Sequence, residues 1–303
     1  MSSTAPDHRQ AAALAAMPAV FVLIWSTGFV VARFGMPHAP PMTFLAWRYA
    51  LSVAAFMLWI GMTRAQWPRD RTQWLHLAVT GVLMHGGYLG GVWAAVKSGL
   101  GAGTTALIVG LQPVLTAVWM SARGSEHRVT LRQWAGLLLG LLGLVLVVGQ
   151  RLGLGEVHAW NLTLAVLALL SITSGTLYQK RWVQPCDVRT ANTVQLGAAW
   201  LVTAPLAWFE PQGMELHPEL LGAMAWSVLA LTLGGSSLLY LLIQRGAATR
   251  VTSLMYLVPP CTACLAWLLF GEQLTVLVLR GLAFTAIGVG LVVREGGGAK
   301  PGR

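Results

Sequence analysis

Along this chain, polar residues come in short clusters, and the stretches between them are almost continuously apolar. Ten such stretches follow one another, at about residues 17–33, 41–61, 74–96, 103–121, 132–149, 160–179, 190–209, 220–244, 250–270 and 275–293. Each approaches the ~20 residues that an α-helix needs to cross a bilayer's hydrocarbon core. The pattern predicts an all-α integral membrane protein with ten transmembrane helices. Composition agrees, with 56% of the 303 residues hydrophobic and 10% charged, against roughly 25% charged in soluble domains. A soluble globular domain is excluded.

The formal net charge of +10 raises nucleic acid as a partner, and its distribution removes it again. With the N-terminus placed in the cytoplasm, only Arg33, Lys97, Arg151 and Arg280 fall on the outer side, and Arg48 lies within a span. The other fifteen of the 20 basic residues are cytoplasmic. Basic residues collect on that side of membrane proteins, so both termini are expected in the cytoplasm. The expected partners are a lipid bilayer and a small molecule, with the chain a monomer or weak homodimer. The first apolar stretch reads as an uncleaved helix, because no strong basic region precedes it and nine spans follow.

Candidate chemistry is sparse. Cys186 falls in a cytoplasmic loop, and Cys261 and Cys264 form a C-x-x-C in an apolar helix with no nearby His or acid, which reads as packing. "NLT" at 161–163 matches a glycosylation sequon and is given no weight. Paired acids, H-E-x-x-H and a nucleophile with its base are all missing, so no catalytic residue, metal or cofactor is expected.

The chain also repeats itself. "VGLQPVLTAV" (109–118) lies over "YLVPPCTACL" (256–265), which sets Pro113 on Pro259 or Pro260. Downstream, "SEHRVTLRQWAGLLLGLLGLVLVV" (125–148) lies over "GEQLTVLVLRGLAFTAIGVGLVV" (271–293), pairing Glu126 with Glu272 and Gly143 with Gly288. Upstream, "STGFVVAR" (26–33) lies over "TSGTLYQK" (173–180). Five spans per copy force the second copy to enter the membrane upside down. This inverted repeat is a hallmark of secondary transporters, which bind solute near the midplane between the copies. The expected organisation is an N-terminal tail (1–16), a first repeat (17–149), a linker (150–159), a second repeat (160–293) and a C-terminal tail (294–303).

At these residues the chain resembles the EamA-type family of the drug/metabolite transporter (DMT) superfamily, a group that includes the YddG-like amino-acid and metabolite exporters. Each copy has a small-residue helix with a Pro, then an acidic residue, then a Gly-spaced helix. "WSTGF" (25–29) resembles the family's first-helix motif, and "FLAWR" (44–48) its second-helix Phe-x-x-x-Arg. The resemblance covers nearly all of 17–293. It implies ten helices, a bacterial inner-membrane location, a central cavity formed by helices 1, 3, 4, 6, 8 and 9, and movement of small metabolites. Pro-Pro in the second copy departs from the more usual single Pro.

The candidate site follows from these readings. Pro113, Pro259 and Pro260 each remove a backbone donor. They free the carbonyls of Val109, Met255 and Tyr256 in mid-helix, which lipid cannot satisfy, so they read as cavity-lining hinges. Gly86, Gly87, Gly90 and Gly91 on helix 3 read as close-packing and bending positions. His85 is an ionisable group inside a span and a functional candidate by default. Arg48 serves either a structural role or a substrate carboxylate. Trp25, Phe29, Tyr88, Trp93, Tyr178, Tyr240 and Tyr256, with Gln112 and Ser237, are candidate lining residues for an amphipathic organic molecule. No Asp or Glu lies in mid-span, which suits an exporter driven by the substrate gradient and leaves proton coupling open. The expected function is export of small organic metabolites, amino acids first. Other amphipathic compounds or drugs such as organic cations are an alternative, and a non-transporting scaffold is a further one.

Overall fold

A computed structural model describes residues 8–63, 65–122, 130–235, 238 and 257–296. Every regular element among them is helical. In chain order these are α1 (His8–Gly35), α2 (Pro41–Thr63), α3 (Arg71–Lys97), α4 (Ala102–Val109), α5 (Gln112–Ala122) and α6 (Leu131–Gly153). Then follow α7 (Ala159–Trp182), α8 (Val188–Trp208), α9 (Pro218–Gly235), α10 (Val258–Phe270) and α11 (Val276–Gly296). Five helical stretches are long and apolar enough to cross a membrane, namely α2, α3, Trp134–Gly153 of α6, α7 and α9. Shorter apolar helices occupy Ala19–Gly35, Ala102–Thr116, Val258–Phe270 and Val276–Leu291.

Two features were not legible in the hydrophobic pattern. α3 and α9 each contain a π-helical segment, Val82–Gly87 and Ser227–Gly235. Each segment ends in a Gly-Gly pair, Gly86–Gly87 and Gly234–Gly235. A π turn widens the helix by one residue and re-aims the side chains around it, and such turns gather at functional sites. The span read as 103–121 is also two helices, with a break at Gly110–Leu111 between α4 and α5. There the ladder tightens, with Leu111 N–H donating to Ile108 O at 3.2 Å and Val114 N–H to Leu111 O at 2.9 Å.

The prolines sit differently from the expectation. Pro259 and Pro260 lie in the first turn of α10, where a missing N–H leaves no hydrogen bond unmade. Pro113 likewise lies in the first turn of α5. Pro113 thus opens α5, and Pro259 and Pro260 lie at the start of the described part of α10. The two breaks pack together, since a Cβ on Gly110 would stand 2.8 Å from Pro259 Cγ.

The most extensive helix contact among the described residues joins α6 to α11 through small residues. A Cβ on Gly143 would overlap Gly281 O and come within 2.5 Å of Thr285 Oγ1, and one on Gly288 would overlap Gly136 O and reach within 2.6 Å of Gly140 N. Gly136, Gly140 and Gly143 have the same spacing as Gly281, Thr285 and Gly288, so each helix offers the other the same surface. Without side chains between them the backbones meet, as small-residue seams allow in membranes.

Acidic residues spend their charge on helix N-termini, whose first N–H groups lack intrahelical partners. Glu210 accepts from Met42 N at 2.8 Å and Thr43 N at 2.7 Å, and Asp70 from Thr72 N at 3.0 Å. Asp187 caps α8, and its hydrogen bond from Arg189 holds the carboxyl below the usual range. Glu272 accepts from Ala102 N at 2.9 Å and caps α4. Its counterpart Glu126 lies outside the described residues. Glu272→Ala is expected to lower stability by about 1 kcal/mol, the usual worth of an N-cap, and thermal unfolding in detergent measures it. Asn161 of the sequon is buried in a capping box with His158.

Candidate functional site

The π turns gather the polar groups of the helix interiors. In α3 the turn is closed by Tyr88 N–H donating to Leu83 O, five residues back. It presents the His85 carbonyl to α2, where Tyr49 Oη donates to it at 2.8 Å. The Tyr49 and His85 rings meet edge-on with centroids 6.1 Å apart, and Gln195 of α8 reaches the His85 side chain. In α9, Thr232 Oγ1 donates to Ser227 O at 2.8 Å, again five residues back, and accepts from Arg48 Nη2 at 3.3 Å.

These two arrangements correspond. Gln195 stands as far after Arg48 in the chain as Thr232 stands after His85. One long polar side chain on α2 thus engages the π segment of α9, and one at the matching place on α8 engages the π segment of α3. Among the described residues, three buried polar atoms in this layer have no partner, Arg48 Nε, Ser52 Oγ and Ser227 Oγ. Buried polar groups are nearly always satisfied, so orphans clustered in one layer call for an explanation.

The fold brings some of the expected residues together and separates others. His85, Tyr88 and Arg48 share this layer. Trp25 is half-buried against Phe21, with ring centroids 5.4 Å apart. Phe29 and Trp93 are in the apolar core, where Trp93 stacks on Phe44 with centroids 4.3 Å apart. Gln112 donates to Thr176 Oγ1 at 2.8 Å, tying α5 to α7. Tyr178 belongs elsewhere, its hydroxyl 2.8 Å from His76 Nδ1 beside Trp182. His76 precedes His85 by nine residues, about 14 Å along the helix axis. Ser237, Tyr240 and Tyr256 lie outside the described residues.

The glycines divide by neighbour. Gly87 and Gly91 face α7, where a Cβ would overlap Ser171 Oγ in the first case and come within 2.8 Å of Leu164 O in the second. Gly90 faces Met42, while Gly86 has no atom within 4 Å of where its Cβ would stand. Close packing and open space are therefore both present along one helix. Sequence reasoning missed Tyr49, Ser52, Gln195, Ser227 and Thr232. Applying the repeat offset to Arg48 would have led to Gln195.

His38, His217 and Glu219 cluster beside the start of α9, with ligand-type atoms all within 4.8 Å of one another. His38 Nε2 is 3.1 Å from Glu219 Oε2, and the two imidazoles stack at 4.0 Å. The residue types are those that hold zinc. The three cysteines are free thiols, and burial pushes the Cys186 thiol up.

Comparison with known proteins gives the chain a family. The EamA-like transporter family model matches residues 12–149 and again 159–294. The chain is 23% identical over 288 residues to an uncharacterized transporter of Archaeoglobus fulgidus, covering 91% of this chain and 96% of the relative. It is 23% identical over 278 residues to a probable amino-acid metabolite efflux pump of Salmonella typhimurium, covering 88% and 90%. It is 24% identical over 273 residues to the uncharacterized inner membrane transporter YedA of Escherichia coli, covering 89% and 87%. One solved crystal structure overlays on 95% of this chain and 99% of its own, with a TM-score of 0.64 at 16% identity, which is a likeness of fold. With both matched segments together spanning most of its length, the chain belongs to the EamA-like transporter family.

Proposed function

We propose that this membrane transporter exports small organic metabolites, amino acids first among them, across the bacterial inner membrane by alternating access. Ten transmembrane helices would form two inverted five-helix repeats with both termini in the cytoplasm.

The observation that carries this reading is the pair of corresponding contacts, Arg48 to the π segment of α9 and Gln195 to that of α3. Transporters of this kind bind solute at the interface of inverted repeats, beside interrupted helices. Helix neighbours support the same symmetry. α6 packs on α11, α2 on α8 and α4 on α10, each the counterpart of its partner. α3 packs on α7 as α9 packs on α1. Loop contacts support alternating passes, because the connections sort onto two faces. On one face, Glu215 N–H donates to His38 O, Glu272 caps α4, and Arg151 donates to Gln273 O at 3.0 Å. On the other, Gln73 donates to Gln184 O at 2.8 Å and Thr190 to Gln66 O at 3.1 Å. The family match falls on two segments with the same division. Two of the relatives are named as probable amino-acid metabolite efflux pumps, which supports the substrate class.

Purified protein in liposomes preloaded with unlabelled amino acids is expected to accumulate labelled amino acid by counterflow, without ATP or an ion gradient. Failure of every amino acid, amine and nucleobase tested to exchange would refute the transporter reading.

A further inference from the structure

We propose that Arg48 receives the carboxylate of the transported solute, so that amino acids and other organic acids are substrates and organic cations are not. This rests on the transporter reading above and deepens it.

Arg48 is 7% exposed, and its one hydrogen bond among the described residues is the long contact with Thr232. Its Nε has no partner. Ser52, one helical turn further along α2, and Ser227 on α9 also lack partners for their hydroxyls. A guanidinium and two hydroxyls are thus left with donors to spare where α2 meets α9. A buried charge without a counter-ion is strongly disfavoured, and no described carboxylate pairs with it. The eight described acidic residues, Asp70 to Glu295, lie at helix ends or in loops. The 236–256 segment contains no Asp or Glu either, so its placement cannot supply one.

The fold provides its own control for the alternative, that a long polar side chain is needed here only for packing. At the corresponding place in the second half, a neutral Gln195 stands beside the His85 side chain, on a helix packed against the π segment of α3. Packing a second helix on a π segment therefore requires an amide's reach and not a charge. The positive charge at Arg48 is what distinguishes the two halves. A carboxylate would take two parallel N–H bonds from the guanidinium fork, with the serine hydroxyls available to its remaining lone pairs. Tyr49 and Tyr88, both within electrostatic range of Arg48, supply aromatic surface beside it for a carbon skeleton. A ligand so held would bridge α2 and α9, which belong to opposite halves, and occupancy would bear on their relative movement.

The test uses purified full-length protein and pairs of probes differing only in the acid group, amino acids and simple carboxylic acids against their carboxamides, with phenethylamine as a cation. Thermal unfolding in detergent reads binding, and competition in liposome counterflow reads transport. The expected result is at least one acid that stabilises the wild type, with its carboxamide at least tenfold weaker and the amine without effect. Arg48→Gln is expected to abolish that preference, and Arg48→Lys to keep part of it. A wild type that shows no acid-over-amide preference in any pair overturns the proposal, with no variant needed. An Arg48→Gln protein that keeps the preference also overturns it. Carboxylate-dependent stabilisation without counterflow of any solute would leave the Arg48 site standing and remove the transporter reading. Counterflow indifferent to the acid group would do the reverse.

Discussion

Gly143→Leu is expected to separate α6 from α11 and cost about 3 kcal/mol or more, the upper end of overpacking effects. The new Cβ alone would overlap Gly281 O and press on the Thr285 backbone N, 2.9 Å away. These are backbone atoms, so no rotamer change relieves the clash. The opposing glycine is equally constrained, with Val147 Cγ2 only 2.5 Å from where a Gly281 Cβ would stand. Gly149→Leu is the control, since that glycine lies on the same helix with no atom within 4 Å of its Cβ position; its stability should change by less than about 0.5 kcal/mol. Thermal unfolding and monodispersity in detergent compare the two. Equal behaviour of both variants would mean that the glycine seam does not hold these helices together.

Gly110→Ala is expected to reduce counterflow at least tenfold while most of the protein remains folded. The added methyl would meet Pro259 Cγ at 2.8 Å and Ala106 O at 3.0 Å, wedging the break between α4 and α5 away from the start of α10. Breaks that face one another across the two repeats are where alternating access would flex. Pro259→Ala supplies the second half of a double-mutant cycle. In the first turn of α10 the ring is not needed to complete any hydrogen bond, and removing it makes room for the Gly110→Ala methyl. The double variant should recover much of the lost rate, the coupling expected of residues in direct contact. A double variant as slow as Gly110→Ala alone would show that the Gly110–Pro259 contact is not what transport depends on.

The helices were largely legible because apolar runs near the length of a bilayer crossing have few ways to satisfy their backbone other than by coiling. The same pattern could not reveal the π segments, which keep an apolar composition and differ only in which carbonyl each N–H chooses. Nor could it place the prolines. "LVPPC" reads as an interrupted helix if α10 begins upstream, and as a helix start if it begins at Val258, where the described helix begins.

The candidate site was legible in part, and the difference lies in what kind of information each residue carries. Arg48 and His85 stood out because an ionisable side chain in hydrocarbon is costly enough to need a reason. Tyr49, Ser52, Gln195, Ser227 and Thr232 carry no such penalty, and neutral polar residues recur throughout the spans. Tyr178 and Trp93 looked equivalent to Tyr88 in sequence, yet one joins His76 and Trp182 and the other stacks in the core.

By itself the sequence determined the all-helical character, the lack of any Asp or Glu in mid-span, and the position of Arg48 within a span. These depend on residue type and on position within an apolar run, which are local properties. Tertiary structure decided that Arg48 meets Thr232, that Gln195 meets His85, and that Gly110 lies against Pro259. Such pairings join residues far apart in the chain, and they are set by how helix surfaces fit together rather than by what any one helix contains.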